Sequence, residues 1–170
     1  MNRRILFVCL GNICRSPLAE GIFLHLCKER GLDQRYAADS AGIGDWHIGE
    51  PPDRRATAAA KRHGVDLPSV CRQVSKTDFA DFDCILAMDK TNRRDLLAQC
   101  PPALRGRVRL IRDFDLDSDR GSDVPDPYYG GPYEFDTVYT MLHRCCGRLL
   151  DALENGDEAS PRAVVDVAAP

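Results

Sequence analysis

The chain is 170 residues long, 44% hydrophobic and 29% charged, the size and balance of one ordinary domain with a full core. A net charge of −3 gives no electrostatic reason to expect nucleic acid or a polyanionic surface as partner. No apolar run approaches the ~20 residues of a membrane span, and the run before Gly11 is shorter than the ~7–15 residues of an export-signal core, so a cytoplasmic, membrane-free monomer is expected.

In chain order, Ile5–Val8 sits in an apolar stretch over 4–9 that reads as a buried strand bounded by Gly11. Ser16-Pro17 reads as a helix start, Ser at the N-cap and Pro at the first helical position. Leu18, Ile22, Leu24, Leu26 and Cys27 supply its apolar face, and Gly31 stops it. A short strand is expected at 36–41, a helix opened by Pro51-Pro52 and running through 56–62, a strand at 83–88, a helix at 89–98 and a strand at 108–111. A loop rich in Asp, Gly and Pro covers 113–133. A closing helix follows at 135–153, with Val138, Met141, Leu142, Cys145, Leu149, Leu150 and Leu153 on one face. The domain is expected over 1–154, with 155–170 as a flexible C-terminal tail. Strands alternating with helices imply an α/β domain built on a parallel sheet, whose ligand site lies at the carboxyl ends of the strands.

Eight cysteines stand at 9, 14, 27, 71, 84, 100, 145 and 146, with no C-x-x-C pair and no mark of export, which argues against a zinc site or a disulfide framework. Cys27, Cys71, Cys84, Cys100, Cys145 and Cys146 read as small core hydrophobes. Cys9 and Cys14 are different because they share one short segment, Cys9-Leu10-Gly11-Asn12-Ile13-Cys14-Arg15-Ser16. Cys-x5-Arg alone is a weak signal, since this content of Cys and Arg produces about one such pair by chance. The context strengthens it. The segment follows a strand and runs into a helix N-terminus, where orphan N–H groups and the dipole favour an anion. Backbone N–H groups from Leu10 to Arg15 can form an anion nest, and Gly11 and Asn12 tolerate the left-handed angles such a curve demands. Arg15 can grip two phosphate oxygens with its planar fork. That positive field favours a thiolate at Cys9, and the Ser16 hydroxyl can donate to the sulfur as it leaves. The positive charge is supplied without a metal or cofactor, and neither is expected.

The segment 8–20, VCLGNICRSPLAE, resembles the signature of the low-molecular-weight protein tyrosine phosphatases. The resemblance extends over roughly residues 3–153, through SAG at 40–42, DW at 45–46, RQV at 72–74, DCILAMD at 83–89 and DPYYGG at 126–131. It implies a four-stranded parallel sheet flanked by helices on both sides, with the phosphate loop after the first strand. It also implies phosphotyrosine hydrolysis through a phosphocysteine on Cys9. The leaving oxygen needs a proton, and chemistry alone does not choose among Asp113, Asp115, Asp117, Asp119, Asp123 and Asp126. The resemblance gives the general acid and base to Asp126 and leaves the others as solvated loop carboxylates. It makes Trp46, Tyr128 and Tyr129 walls for an aromatic ring, pairs Asn12 with Ser40 to brace the loop, and makes Cys14 a redox partner of Cys9. Ser69 departs from the pattern, for that position is often His. His25, His47 and His143 read as surface or satisfied residues.

The expected partner is a phosphotyrosine-bearing protein such as a tyrosine kinase, with inorganic phosphate as product. An arsenate reductase on the same scaffold is a second reading. It needs two further relay cysteines close together, whereas Cys71 and Cys84 are thirteen apart. A phosphotyrosine-binding module without turnover is a third, and nothing favours it because every catalytic residue is present.

Overall fold

The computed structural model describes residues 2–119 and 121–156. Among them four strands, β1 (Arg3–Cys9), β2 (Tyr36–Gly42), β3 (Cys84–Ala87) and β4 (Val108–Leu110), form one parallel sheet in the order β2-β1-β3-β4. Five α-helices connect or flank them: α1 (Arg15–Glu29), α2 (Arg54–Lys61), α3 (Asp78–Asp81), α4 (Lys90–Gln99) and α5 (Pro132–Glu154). Two 3₁₀ turns flank β4, at 102–107 and 111–114.

The alternation of β1 divides the core. Ile5 and Phe7 pack on one side with Leu18, Ile22, Ala59, Leu142 and Leu149 from α1, α2 and α5. Leu6 and Val8 pack on the other with Phe79, Phe82, Ile85 and Leu96. Each such side chain contributes roughly 1.5–3 kcal/mol by leaving water, which pins the strand register and with it the end of β1. Helices therefore cover both faces, as the α/β reading requires. No helix among the described residues is long and apolar enough to cross a membrane.

Local departures from the sequence reading have physical causes. Helix α1 begins two residues early, with Cys14 at the N-cap and no side-chain cap, so Ser16 lies inside the first turn and its hydroxyl is committed elsewhere. Leu24 falls between faces and is half-buried, while Phe23 is buried in its stead. Asp53, rather than Pro51-Pro52, caps α2 by accepting the Arg55 N–H at 2.8 Å. Asp89 caps α4 by accepting the Asn92 N–H at 2.7 Å. The single turn of α3 is too short to show a period. Helix α5 starts three residues before Phe135 because Pro132 takes the first position and Glu134 returns its carboxylate to the Gly131 N–H at 2.8 Å. Glu154 ends α5 with two anchors, Arg35 at 2.6 Å and the Tyr36 hydroxyl at 2.5 Å. Of the tail expected from 155, residues 157–170 lie outside the described residues.

Candidate active site

The site grows from the carboxyl end of β1. Cys9 is the last strand residue, and residues 10–14 turn the chain into α1. The turn is made possible by Asn12, whose φ of 59° lies in the left-handed region. Gly11 plays a different part from the one its type suggested. Its φ is not positive, but a Cβ there would meet the His47 ring at 3.2 Å. The glycine lets the imidazole lie against the loop.

Buried groups hold Asn12 from all sides. Its Nδ2 donates to Ser16 Oγ and Ser40 Oγ, both at 2.9 Å, and its Oδ1 accepts the Arg72 N–H at 2.9 Å. Its carbonyl accepts the Cys71 thiol at 2.8 Å. The Asn12–Ser40 brace is therefore formed. Cys71 is buried as expected but serves as a donor beneath the loop, not as a hydrophobe alone. Behind Ser40 stands Glu20, which accepts its hydroxyl at 2.6 Å, with Ser69 Oγ 3.3 Å from Ser40 Oγ. Burial pushes the Glu20 carboxyl above its usual range, against the hydrogen bonds of Ser40 and Ser69. Ser69 thus occupies the bracing network with a shorter group than His.

The Cys9 sulfur is the focus of the loop. The Asn12 N–H points at it from 3.3 Å, and Ser16 Oγ lies 3.0 Å away. Ser16 Oγ already accepts from Asn12 Nδ2, which leaves its hydrogen for the sulfur or, at 3.4 Å, for the Ala41 carbonyl. Arg15 is buried beside them. Its Nη1 donates to Asp89 at 2.7 Å and to the Val124 carbonyl at 3.1 Å, and its Nη2 donates to Asp126 Oδ2 at 3.1 Å. Burial alone would weaken this charge, but Cys9, Asp89 and Asp126 more than offset it and the guanidinium stays ionised. Asp89 read from the sequence as a helix start, and only the fold brings it to Arg15.

The other Asp126 oxygen accepts the Tyr128 N–H at 3.1 Å, fixing the start of the 126–131 loop. Cys9, Leu10, Ile13, Cys14 and Arg15 floor a cavity of about 320 Å³, and Trp46, His47, Asp126, Tyr128 and Tyr129 wall it. His47 was expected outside the site; its place next to Trp46 was the available signal. Trp46 is 65% exposed and Tyr129 98%, so these rings stand at the rim with free faces. Gly44 makes the Trp46 position possible, since a Cβ there would sit 1.8 Å from the indole. Tyr128 and Tyr129 meet edge to face at 5.0 Å.

Burial pushes the Cys14 thiol well above its ordinary range, with Asp53, Cys9 and Asp126 adding to it. Among the acidic loop residues, Asp115 is not the solvated carboxylate expected. It is fully buried and accepts two hydrogen bonds from Arg144, at 2.9 and 2.7 Å. Asp123 is also engaged, accepting the Lys90 N–H at 2.9 Å. His63, which sits outside the site, stacks on Tyr139 at 4.1 Å.

Comparison with known proteins bears on the family and the fold. The family model described as low molecular weight phosphotyrosine protein phosphatase matches residues 4–159. The human low molecular weight phosphotyrosine protein phosphatase is 40% identical over 151 residues, 88% of this chain and 94% of the relative. The Bacillus subtilis low molecular weight protein-tyrosine-phosphatase YfkJ is 43% identical over 151 residues, 88% and 95% of the two chains. The crystal structure of a protein tyrosine phosphatase from Entamoeba histolytica superimposes with a TM-score of 0.88 at 38% identity, covering 92% of this chain and 99% of that one. A cysteine and an arginine on one loop at the end of β1, in a fold and sequence shared with these proteins, place the chain in the low molecular weight phosphotyrosine protein phosphatase family of cysteine-dependent hydrolases.

Proposed function

We propose that this chain hydrolyses phosphotyrosine in proteins through a phosphocysteine on Cys9. The observation that carries the reading is the single cavity in which the Cys9 sulfur, the Arg15 guanidinium and the Asp126 carboxylate converge beneath aromatic walls. The phosphoryl group binds over Cys9, held by the backbone N–H groups of 10–15 and by Arg15. Its dianion replaces Asp126 on Arg15 Nη2, while Asp89 and the Val124 carbonyl keep Nη1 in place. The substrate's phenol ring lies among Trp46, Tyr128 and Tyr129.

In the first step Cys9 Sγ forms the S–P bond as the P–O bond to the phenol breaks, and Asp126 gives its proton to the leaving oxygen. Water then attacks phosphorus. Asp126 takes its proton, the S–P bond breaks, and Ser16 and the Asn12 N–H stabilise the departing thiolate at 3.0 and 3.3 Å. Inorganic phosphate is the second product. Phosphoproteins such as tyrosine kinases fit the open, aromatic rim. Cys14, on the same loop, is proposed to trap oxidised Cys9 as a reversible disulfide.

The arsenate reductase reading gains nothing from the fold. Cys84 opens β3 at the amino end of the sheet, whereas Cys71 lies under the loop at the carboxyl end, so the two form no relay.

Hydrolysis of p-nitrophenyl phosphate and of a phosphotyrosine peptide, measured with dithiothreitol and EDTA, tests the proposal. Wild type turns over both and Cys9→Ser neither. A folded wild type with a free Cys9 thiol and no turnover of either would overturn it.

A further inference from the structure

Arg55, at the start of α2, has no part in the chemistry described above, yet it joins the two halves of the site. The Asp53 N–H donates to the carbonyl of Ile13 in the phosphate loop at 2.8 Å. The Asp53 carboxylate holds the Arg55 guanidinium from two sides, Oδ1 to Nε at 3.0 Å and Oδ2 to Nη2 at 2.9 Å. The third corner, Nη1, donates to the Gly130 carbonyl at 3.0 Å. Gly130 closes the turn that begins at Pro127, its N–H donating to the Pro127 carbonyl at 2.8 Å. The guanidinium also faces the Tyr128 ring at 5.6 Å and the Phe135 ring at 4.7 Å. A rigid fork with every corner engaged therefore runs from the phosphate loop, through Asp53 and Arg55, to the far side of the segment that carries Asp126.

This strut has a use because Asp126 is otherwise held by the group it must leave. Asp126 Oδ2 rests on Arg15 Nη2 at 3.1 Å. When a phosphoryl group takes Arg15, that tether is gone. On the amino side of Asp126 the segment stays anchored through Val124, whose N–H donates to the Met88 carbonyl at 2.8 Å and whose carbonyl accepts Arg15 Nη1 at 3.1 Å. On the carboxyl side the holds are its own turn and the grip of Arg55 on Gly130 and Tyr128. We infer that Arg55, oriented by Asp53, is a positioning residue that keeps Asp126 at the leaving oxygen once Arg15 has turned to the phosphate. The inference rests on the proposed role of Asp126 as general acid.

A general acid matters most where the leaving group is a poor one. The test therefore compares kcat/KM for phenyl phosphate with that for p-nitrophenyl phosphate, in the full chain, for wild type, Asp126→Ala, Arg55→Met and Asp53→Asn. Met keeps an apolar stem against Tyr128 and Phe135 while removing every donor. Asn keeps the α2 cap and the N–H to Ile13 but lowers the grip on Arg55. Asp126→Ala sets the scale by losing far more on phenyl phosphate than on p-nitrophenyl phosphate. Arg55→Met is expected to move the ratio the same way by about tenfold, and Asp53→Asn by less, with inhibition by inorganic phosphate held within about twofold. Equal losses on both substrates, or a loss confined to phosphate affinity, in a variant whose urea transition shows it folded would overturn the inference. Should Arg55→Met fail to fold, Asp53→Asn decides by the same ratio. If Asp126→Ala itself shows no leaving-group dependence, the acid assignment falls and this inference falls with it. A ratio shifted in Asp126→Ala but not in the other two refutes the strut alone.

Discussion

Replacing Asn12 probes the loop at its most constrained point. The side chain is 1% exposed, makes three hydrogen bonds and belongs to a residue with φ at 59°. In Asn12→Ala the hydroxyls of Ser16 and Ser40 lose the donor they accept from, but each still donates its own hydrogen, Ser16 to Cys9 or the Ala41 carbonyl and Ser40 to Glu20. The Arg72 N–H loses the Oδ1 it donates to, at a cost of about 1–3 kcal/mol for an orphaned buried group. An alanine Cβ in the left-handed region adds about 1 kcal/mol. The total is about 3 kcal/mol, a large share of the ~5–15 kcal/mol that holds a domain folded. Asn12→Gly keeps the hydrogen-bond loss but not the steric one and should lose about 1 kcal/mol less. Urea unfolding followed by far-ultraviolet circular dichroism measures both. Trp46 is a poor reporter because its indole stands at the rim. Both variants within about 0.5 kcal/mol of wild type would refute the reasoning, and so would Asn12→Gly falling below Asn12→Ala.

Burial opposes the Asp115 charge, but the hydrogen bonds and charge of Arg144, with Arg112, overcome it and hold the carboxyl below its usual range. A lowered folded value means stability present at neutral pH and lost as pH falls through that value. Asp115→Asn should therefore cost about 3 kcal/mol at pH 7, and its urea curve should approach that of wild type near pH 2; a constant difference would contradict this. Burial raises the thiols of Cys71 and Cys84 to about 11 and those of Cys27 and Cys145 to about 12. Iodoacetamide at pH 6, read by peptide mass mapping, should label Cys9 ahead of all four, and equal labelling would deny the loop its special field. Peroxide should abolish activity and dithiothreitol restore it, with recovery poor in Cys14→Ser. Equal recovery in the variant would remove Cys14 from the redox role.

The alternation in β1, the i, i+4 face of α1 from Leu18 to Ile22 to Leu26, and the long apolar face of α5 were legible because one face of each is buried by many side chains. The loop was legible because thiol, left-handed residue and cation fall within seven consecutive positions. What stayed hidden was long-range. Asp89 reaches Arg15 across 74 positions of sequence, Cys71 reaches the Asn12 carbonyl across 59, and Arg55 reaches Gly130 across 75. No local pattern marks these residues, since each looks like a cap, a small hydrophobe or a surface cation until the sheet order brings its partner near. Asp115 failed in the same way, as its partner Arg144 lies 29 residues away on α5. Ser16 misled because a serine before proline is a good cap, while the hydroxyl here is held by Cys9 and Asn12.

The central claim is a covalent bond between Cys9 and phosphorus. Its most direct test is to mix the enzyme with excess p-nitrophenyl phosphate, quench in acid within the first turnovers and map phosphorylated peptides by mass. One phosphoryl group should be found on the peptide containing Cys9 in wild type and none in Cys9→Ser. Phosphoryl on another residue, or undiminished turnover by Cys9→Ser, would contradict the account.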